Sequence, residues 1–180
     1  DNARGALPMH YETRLPPEGA QSFVESLEDA VRDALYIQES VPEQLELKRR
    51  HNAQIEAVED VAVIGSSTSG FKPSELAAEM ADPHRLVVAH PFNPVYLLPL
   101  VELVGPLMAT SRGEDLIDSI GMYPLVLDSE IDGHVADRLL EAVWREARWL
   151  VHDGVATTRD IDEVIRMGFG LRWAQMGLFE

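Results

Sequence analysis

Three short apolar runs, ALYIQ at 34–38, VAVIG at 61–65 and LVVA at 86–89, alternate with stretches of helical character, and this rhythm constrains the fold more than any other feature. A strand covered on both faces reads as a continuous apolar run, and strand, helix, strand repetition marks parallel βαβ units. The helical stretches are 43–58, with Leu45, Leu47, Ile55 and Val58 among charges, and 73–80, with proline in its first turn. Two more extended runs, 99–104 and 123–128, flank a helix near 111–120. Upstream, 1–19 is polar and proline-bearing and reads as the end of a helical or loop segment, 22–26 as a short extended piece and 27–32 as a helix-like turn. The expected fold class is α/β with a parallel sheet.

The pattern changes after Asp128. Val135, Leu139, Ala142, Val143, Ala147, Leu150 and Val151 recur at helical spacing, and Gly154 is placed to stop that helix. Thr157 and Asp160 have the spacing of a capping box, with Asp in place of the usual Glu, and open a further helix to about 167. The tail GFGLRWAQMGLFE is glycine-spaced and aromatic. Two domains are expected, the first over 1–130 and an all-α second one over 131–180.

Charge excludes some partners. With 15 basic and 31 acidic residues the formal net charge is −16, which disfavours a nucleic-acid backbone or an anionic membrane surface. No apolar run approaches the length of a membrane span. Cysteine is absent, which removes disulfides and thiolate chemistry and fits a reducing, cytoplasmic compartment. The six histidines show no HExxH-type spacing, so no metal is expected. Residue 1 is Asp, and the chain reads as part of a longer one.

The chemistry concentrates between Val61 and Gly105, where Ser66, His90, Asn93 and Glu102 fall at or just beyond strand ends, the side of an open α/β sheet that binds ligands. An imidazole at His90 can take a hydroxyl proton near neutrality, and a carboxylate at Glu102 can fix its tautomer. The plainer alternatives are a strand-end histidine bonded to backbone and a strand-capping glutamate. Ser66, Ser67, Thr68 and Ser69 offer hydroxyls suited to a substrate hydroxyl or a ribose, or simply to local turn bonding. Asn93, between Phe92 and Pro94, can hold an amide or serve the turn. Lys48, taken alone, is a solvated helix lysine.

The ordered motifs SSTS, HPFNP, LVE and GHVADRLLEA resemble the 3-hydroxyacyl-CoA dehydrogenase superfamily over Ala34 to Glu180. The longer segments HPFNPVYLLPLVELVG, EAVWREARWLVHDGVATTRDID and GFGLRWAQMGLFE are similar to its carnitine-oxidising branch. The resemblance implies a Rossmann-type doubly wound parallel sheet, followed by an all-α domain through which two copies form a homodimer. It implies NAD as cofactor and L-carnitine as the small-molecule substrate, oxidised at its 3-hydroxyl to 3-dehydrocarnitine. On the matching positions it makes His90 the catalytic base, Glu102 its partner and Ser66 a contact to substrate and nicotinamide; Glu43, Lys48 and Asn93 match NAD contacts. Where the acyl-CoA enzymes carry Asn in GFxxNR, this chain has Asp137 in GHVADR, which suits a cationic substrate. Tyr96 and Trp173, with Asp137, are expected to hold its trimethylammonium group, since aromatic faces attract such cations; Arg172 is available to its carboxylate. The glycine-rich pyrophosphate turn GxGxxG matches neither 65–70 nor 168–170; the resemblance implies that it lies upstream of residue 1 with two further strands, and the chain by itself is expected to bind NAD weakly or not at all and to be inactive. Enzymatic alternatives are 3-hydroxyacyl-CoA and L-gulonate dehydrogenases; a non-catalytic, crystallin-like protein on the same scaffold is the alternative of another class.

Overall fold

The computed structural model describes residues 19–180, so the expected polar segment at the start lies almost wholly outside the described residues. Two compact units are present, one reaching to Ala136 and one from Asp137 to Glu180. In the first, the expected extended piece at 22–26 pairs with no strand among the described residues. Ser26 instead caps a short helix α1 (Leu27–Val31), its side chain accepting the Asp29 amide at 3.1 Å.

From there the alternation runs β1 (Tyr36–Glu39), α2 (Leu45–Val58), β2 (Val63–Ser66), α3 (Pro73–Leu76) and β3 (Leu86–Pro91). It continues with β4 (Leu100–Val104), α4 (Leu107–Ser119) and β5 (Tyr123–Leu127). The five strands lie in the order β1-β2-β3-β4-β5. β1, β2 and β3 are parallel, as the apolar runs and intervening helices require. β4 is antiparallel to β3, and β5 is parallel to β4. The reversal follows from length: residues 92–99 contain no helix, and a parallel crossover needs a dozen or more residues.

Each sheet face carries its own core. Val31, Ile55, Ile64, Leu76, Leu86, Val88 and Val104 pack on the face covered by α2 and α3. Val63, Val87, Ala89, Val101, Leu103, Ala109 and Ile117 pack on the α4 face. Tyr36 lies against that second cluster, and burial raises its phenol pKa.

The second unit contains most of α5 (Val135–His152), followed by α6 (Thr158–Val164), a π-type turn (Ile165–Phe169) and α7 (Gly170–Trp173). Gly154 takes φ 68° just past α5, the left-handed position that ends a helix cheaply when glycine occupies it. The capping box at Thr157 and Asp160 is formed in both directions, and these Thr157 hydrogen bonds hold the Asp160 carboxyl below its ordinary pKa. The helix expected to run to about 167 stops at Val164, and Gly168 breaks the helical path with φ −112° and ψ −119°.

Candidate active site

Glu39, Ser66, His90 and Glu102 share one face of the sheet. Glu39 pairs with Ser66, Ser66 with Val88, and His90, two residues on, with Glu102; paired residues and i, i+2 neighbours point the same way. All four are buried. Glu102 is therefore not at a strand end, as its sequence position implied, but in the middle of β4. The antiparallel pairing brings it directly across from His90.

The His90 Nδ1 atom lies 3.2 Å from Glu102 Oε2. The other carboxylate oxygen, Oε1, accepts the amides of Val135 at 3.1 Å and Ala136 at 3.0 Å, the first turn of α5. A helix N-terminus has unpaired N–H groups and a positive dipole end, and both favour an anion there. Burial pushes the Glu102 carboxyl upward, but the hydrogen bond from His90, the two amides and the charge of the ring together hold it below its ordinary value. An ionised Glu102 accepts from Nδ1–H, which leaves Nε2 as the basic nitrogen of His90. So held, the imidazole can accept a proton at Nε2, and the carboxylate stabilises the cation formed.

Lys48 is 1 % exposed, against the solvated lysine that its sequence context implied. Its ammonium contacts Glu39 Oε1 at 3.0 Å, the Val41 carbonyl at 3.0 Å and Glu43 Oε2 at 3.4 Å. Glu39 in turn accepts the Ser66 hydroxyl at 2.6 Å, and Glu43 accepts the Thr68 hydroxyl and the Gly70 amide. Burying a carboxylate is costly unless a cation and hydrogen bonds offset it. The cluster meets that condition with Lys48 and Ser66, and so fixes the turn after β2.

Other expected residues are less tightly held. Asn93 and Tyr96 lie in the 92–99 loop, Asn93 exposed and followed by a cis peptide to Pro94, Tyr96 half-buried. Asp137 is half-buried in the first turn of α5, and Trp173 is 40 % exposed with its ring 4.6 Å from that of Phe169. Arg172 stands beside it on α7, exposed. Two buried groups carry little signal in the sequence. Glu39 was legible only as an acid at the end of an apolar strand, on the sheet edge that carries Ser66. His134 is enclosed next to His90, and its one signal is that GHVADR departs from GFxxNR at its second position as well as its fifth. Among the described residues no group of three or more side chains is arranged to hold a metal, and no helix is long and apolar enough to cross a membrane.

Residues 18–131 match the 3-hydroxyacyl-CoA dehydrogenase NAD binding domain, and residues 133–180 match the C-terminal domain of the same enzymes. An L-carnitine dehydrogenase/betainyl-CoA thioesterase of Agrobacterium fabrum is 57 % identical over 180 residues, covering 99 % of this chain and 37 % of that protein. An L-carnitine dehydrogenase of Mesorhizobium japonicum is 51 % identical over 184 residues, covering 99 % and 50 %. The chain thus spans half or less of the length of these relatives. Among solved structures, an NAD+-dependent 5-formyl-3-hydroxy-2-methylpyridine 4-carboxylic acid 5-dehydrogenase superposes with a TM-score of 0.87 at 30 % identity, over 99 % of this chain and 59 % of that one.

Proposed function

The chain belongs to the 3-hydroxyacyl-CoA dehydrogenase family, and from that premise we propose that the full-length protein oxidises the 3-hydroxyl of L-carnitine to 3-dehydrocarnitine with NAD, His90 acting as general base. The observation that carries the proposal is the buried His90–Glu102 pair, Nδ1 to Oε2 at 3.2 Å, anchored on the α5 amides. His90 Nε2 takes the proton of the substrate hydroxyl, and the Glu102 carboxylate stabilises the imidazolium. Positioned proton transfer of this kind contributes about 10²–10⁴-fold. Ser66, whose hydroxyl donates to Glu39 at 2.6 Å, lies on the same sheet face as His90 and is proposed as a contact to substrate and nicotinamide.

The residues present suit the cofactor's ribose. Glu43 is exposed just before α2, and the Ser40 and Ser67 hydroxyls, one residue past the ends of β1 and β2, lie 2.9 Å apart, with Ser40 exposed. NAD supplies the hydride acceptor. Asn93 extends this edge from the β3–β4 loop, while Lys48, enclosed by Glu39, Val41 and Glu43, supports it from inside. Carnitine as substrate is supported by the names of the relatives and by Asp137, a carboxylate suited to a cation; Tyr96 and Trp173 are proposed as its aromatic contacts. The proposal includes a cytoplasmic setting, which a cysteine-free sequence fits. It also includes a homodimer through the helical unit, where Leu139, Leu140, Trp144 and Trp149 are 54–64 % exposed along α5.

The test is NAD reduction by the full-length protein with L-carnitine, 3-hydroxybutyryl-CoA and L-gulonate side by side. Turnover of L-carnitine above the other two is expected, and His90→Asn is expected to abolish it. Preference for the acyl-CoA moves the substrate assignment, and full turnover by His90→Asn removes the base.

A further inference from the structure

We propose that His134 is a positioning residue for His90, a role that rests on the oxidoreductase reading above. His134 lies in the turn that opens α5 and is fully buried. Its φ is 50°, a left-handed conformation uncommon for residues with a side chain, so its surroundings hold it there.

Contacts on three sides define its place. The imidazole ring centroid lies 5.1 Å from that of His90, with the planes 35° apart. Its Nε2 lies 3.2 Å from the Thr68 carbonyl oxygen, which can only accept, so Nε2 donates. The next two amides along the chain, those of Val135 and Ala136, are the ones that hold Glu102. One residue therefore touches the turn that carries Ser66, packs on the base, and begins the helix end that holds the base's carboxylate.

The Thr68 bond separates a positioning role from mere filling. An apolar ring of similar size would occupy the same space and leave the carbonyl of a buried residue short of its donor, a loss felt by the whole turn. That turn is already a network: the Thr68 amide contacts Ser66 Oγ, and the Thr68 hydroxyl serves Glu43 and the Gly70 and Phe71 amides. Releasing its carbonyl frees Ser66 to shift against His90, which faces the same side of the sheet. His134→Phe fills the same space with a ring of similar size and removes only the donor to the Thr68 carbonyl.

The experiment compares full-length wild type, His134→Phe and His134→Gln, reading steady-state kinetics, melting temperature and the downfield proton resonance of His90 Nδ1–H. The Gln amide nitrogen can still reach the Thr68 carbonyl. For His134→Phe, kcat is expected to fall about ten- to a hundredfold, as small misplacements of reacting groups do, with the KM for NAD and the melting temperature near wild type. The His90 Nδ1–H resonance is expected to broaden by solvent exchange in the Phe variant, and His134→Gln to restore both turnover and a sharp line, a readout that ring currents do not set. A Phe variant that turns over like wild type overturns the proposal, as does one whose His90 resonance stays sharp, or a Gln variant that loses as much as Phe. If wild type itself reduces no NAD with L-carnitine, the oxidoreductase reading fails, and the resonance alone still decides whether His134 positions His90.

Discussion

Two side chains set the character of the site at the residue scale. Glu102 divides its oxygens between His90 and the α5 amides, so Glu102→Gln removes a charge from both. It is expected to lower kcat by about 10²–10⁴-fold, the range seen when the carboxylate behind a catalytic histidine is neutralised, with KM changed far less. The pair also makes stability depend on pH. A carboxyl whose folded pKa is depressed contributes stability that is fully present above its unfolded value, near 4.5, and is lost as pH falls through the lower folded value. Denaturation midpoints measured from pH 6 downward should therefore fall less steeply for Glu102→Gln than for wild type. Lys48 sets the second expectation. Lys48→Met leaves Glu39 buried without its cation and is expected to cost about 3–5 kcal/mol by urea unfolding, most of which Lys48→Met combined with Glu39→Gln should recover.

At the scale of elements, the close approach of β1 and β2 rests on Gly65. A methyl group there would fall on the Tyr36 hydroxyl, which bonds Gln38 Oε1 at 2.6 Å, and Gln38 in turn bonds Ser67 and the Ala89 carbonyl. Gly65→Ala is expected to destabilise by about 1–3 kcal/mol, and a smaller residue at Tyr36 should relieve part of it, measurable as a non-additive double-mutant cycle. Thr157→Ala removes the cap of α6 and should cost about 1 kcal/mol, seen as faster amide exchange over 158–164. The sequence made the elements legible where local chemistry dominates: β1 to β3 from their apolar runs, α5 from its spacing and Gly154, α6 from its cap. It did not show the direction of β4, because pairing direction follows from the length of the 92–99 connection and not from any residue in the strand. Lys48 and Glu39 are hidden in the sequence for a different reason. Each looks like surface charge alone, and only the fold brings them into contact, nine residues apart, beneath Ser66. His90 and Glu102 could be picked out as chemical types, whereas their contact is a property of the strand pair.

Across the whole molecule, the balance of charge and apolar surface differs between the units. The first buries two clusters on opposite faces of one sheet, whereas no residue of α5 is fully buried and Trp144 and Trp149 stay largely exposed. The proposed homodimer predicts that Trp144→Glu with Trp149→Glu yields a monomer by sedimentation while the sheet unit keeps its fold. A chain of net charge −16 adds repulsion between copies, so dimerisation should strengthen with added salt. The pairing of β3 with β4 reaches further than packing. Side chains alternate along a strand, so a slip by one residue would set Val101 or Leu103 opposite His90 and turn Glu102 to the far face. A molecule that joined these two strands wrongly would lack the His90–Glu102 contact even if it stayed compact. Formation of that contact therefore reports strand alignment, separately from compactness.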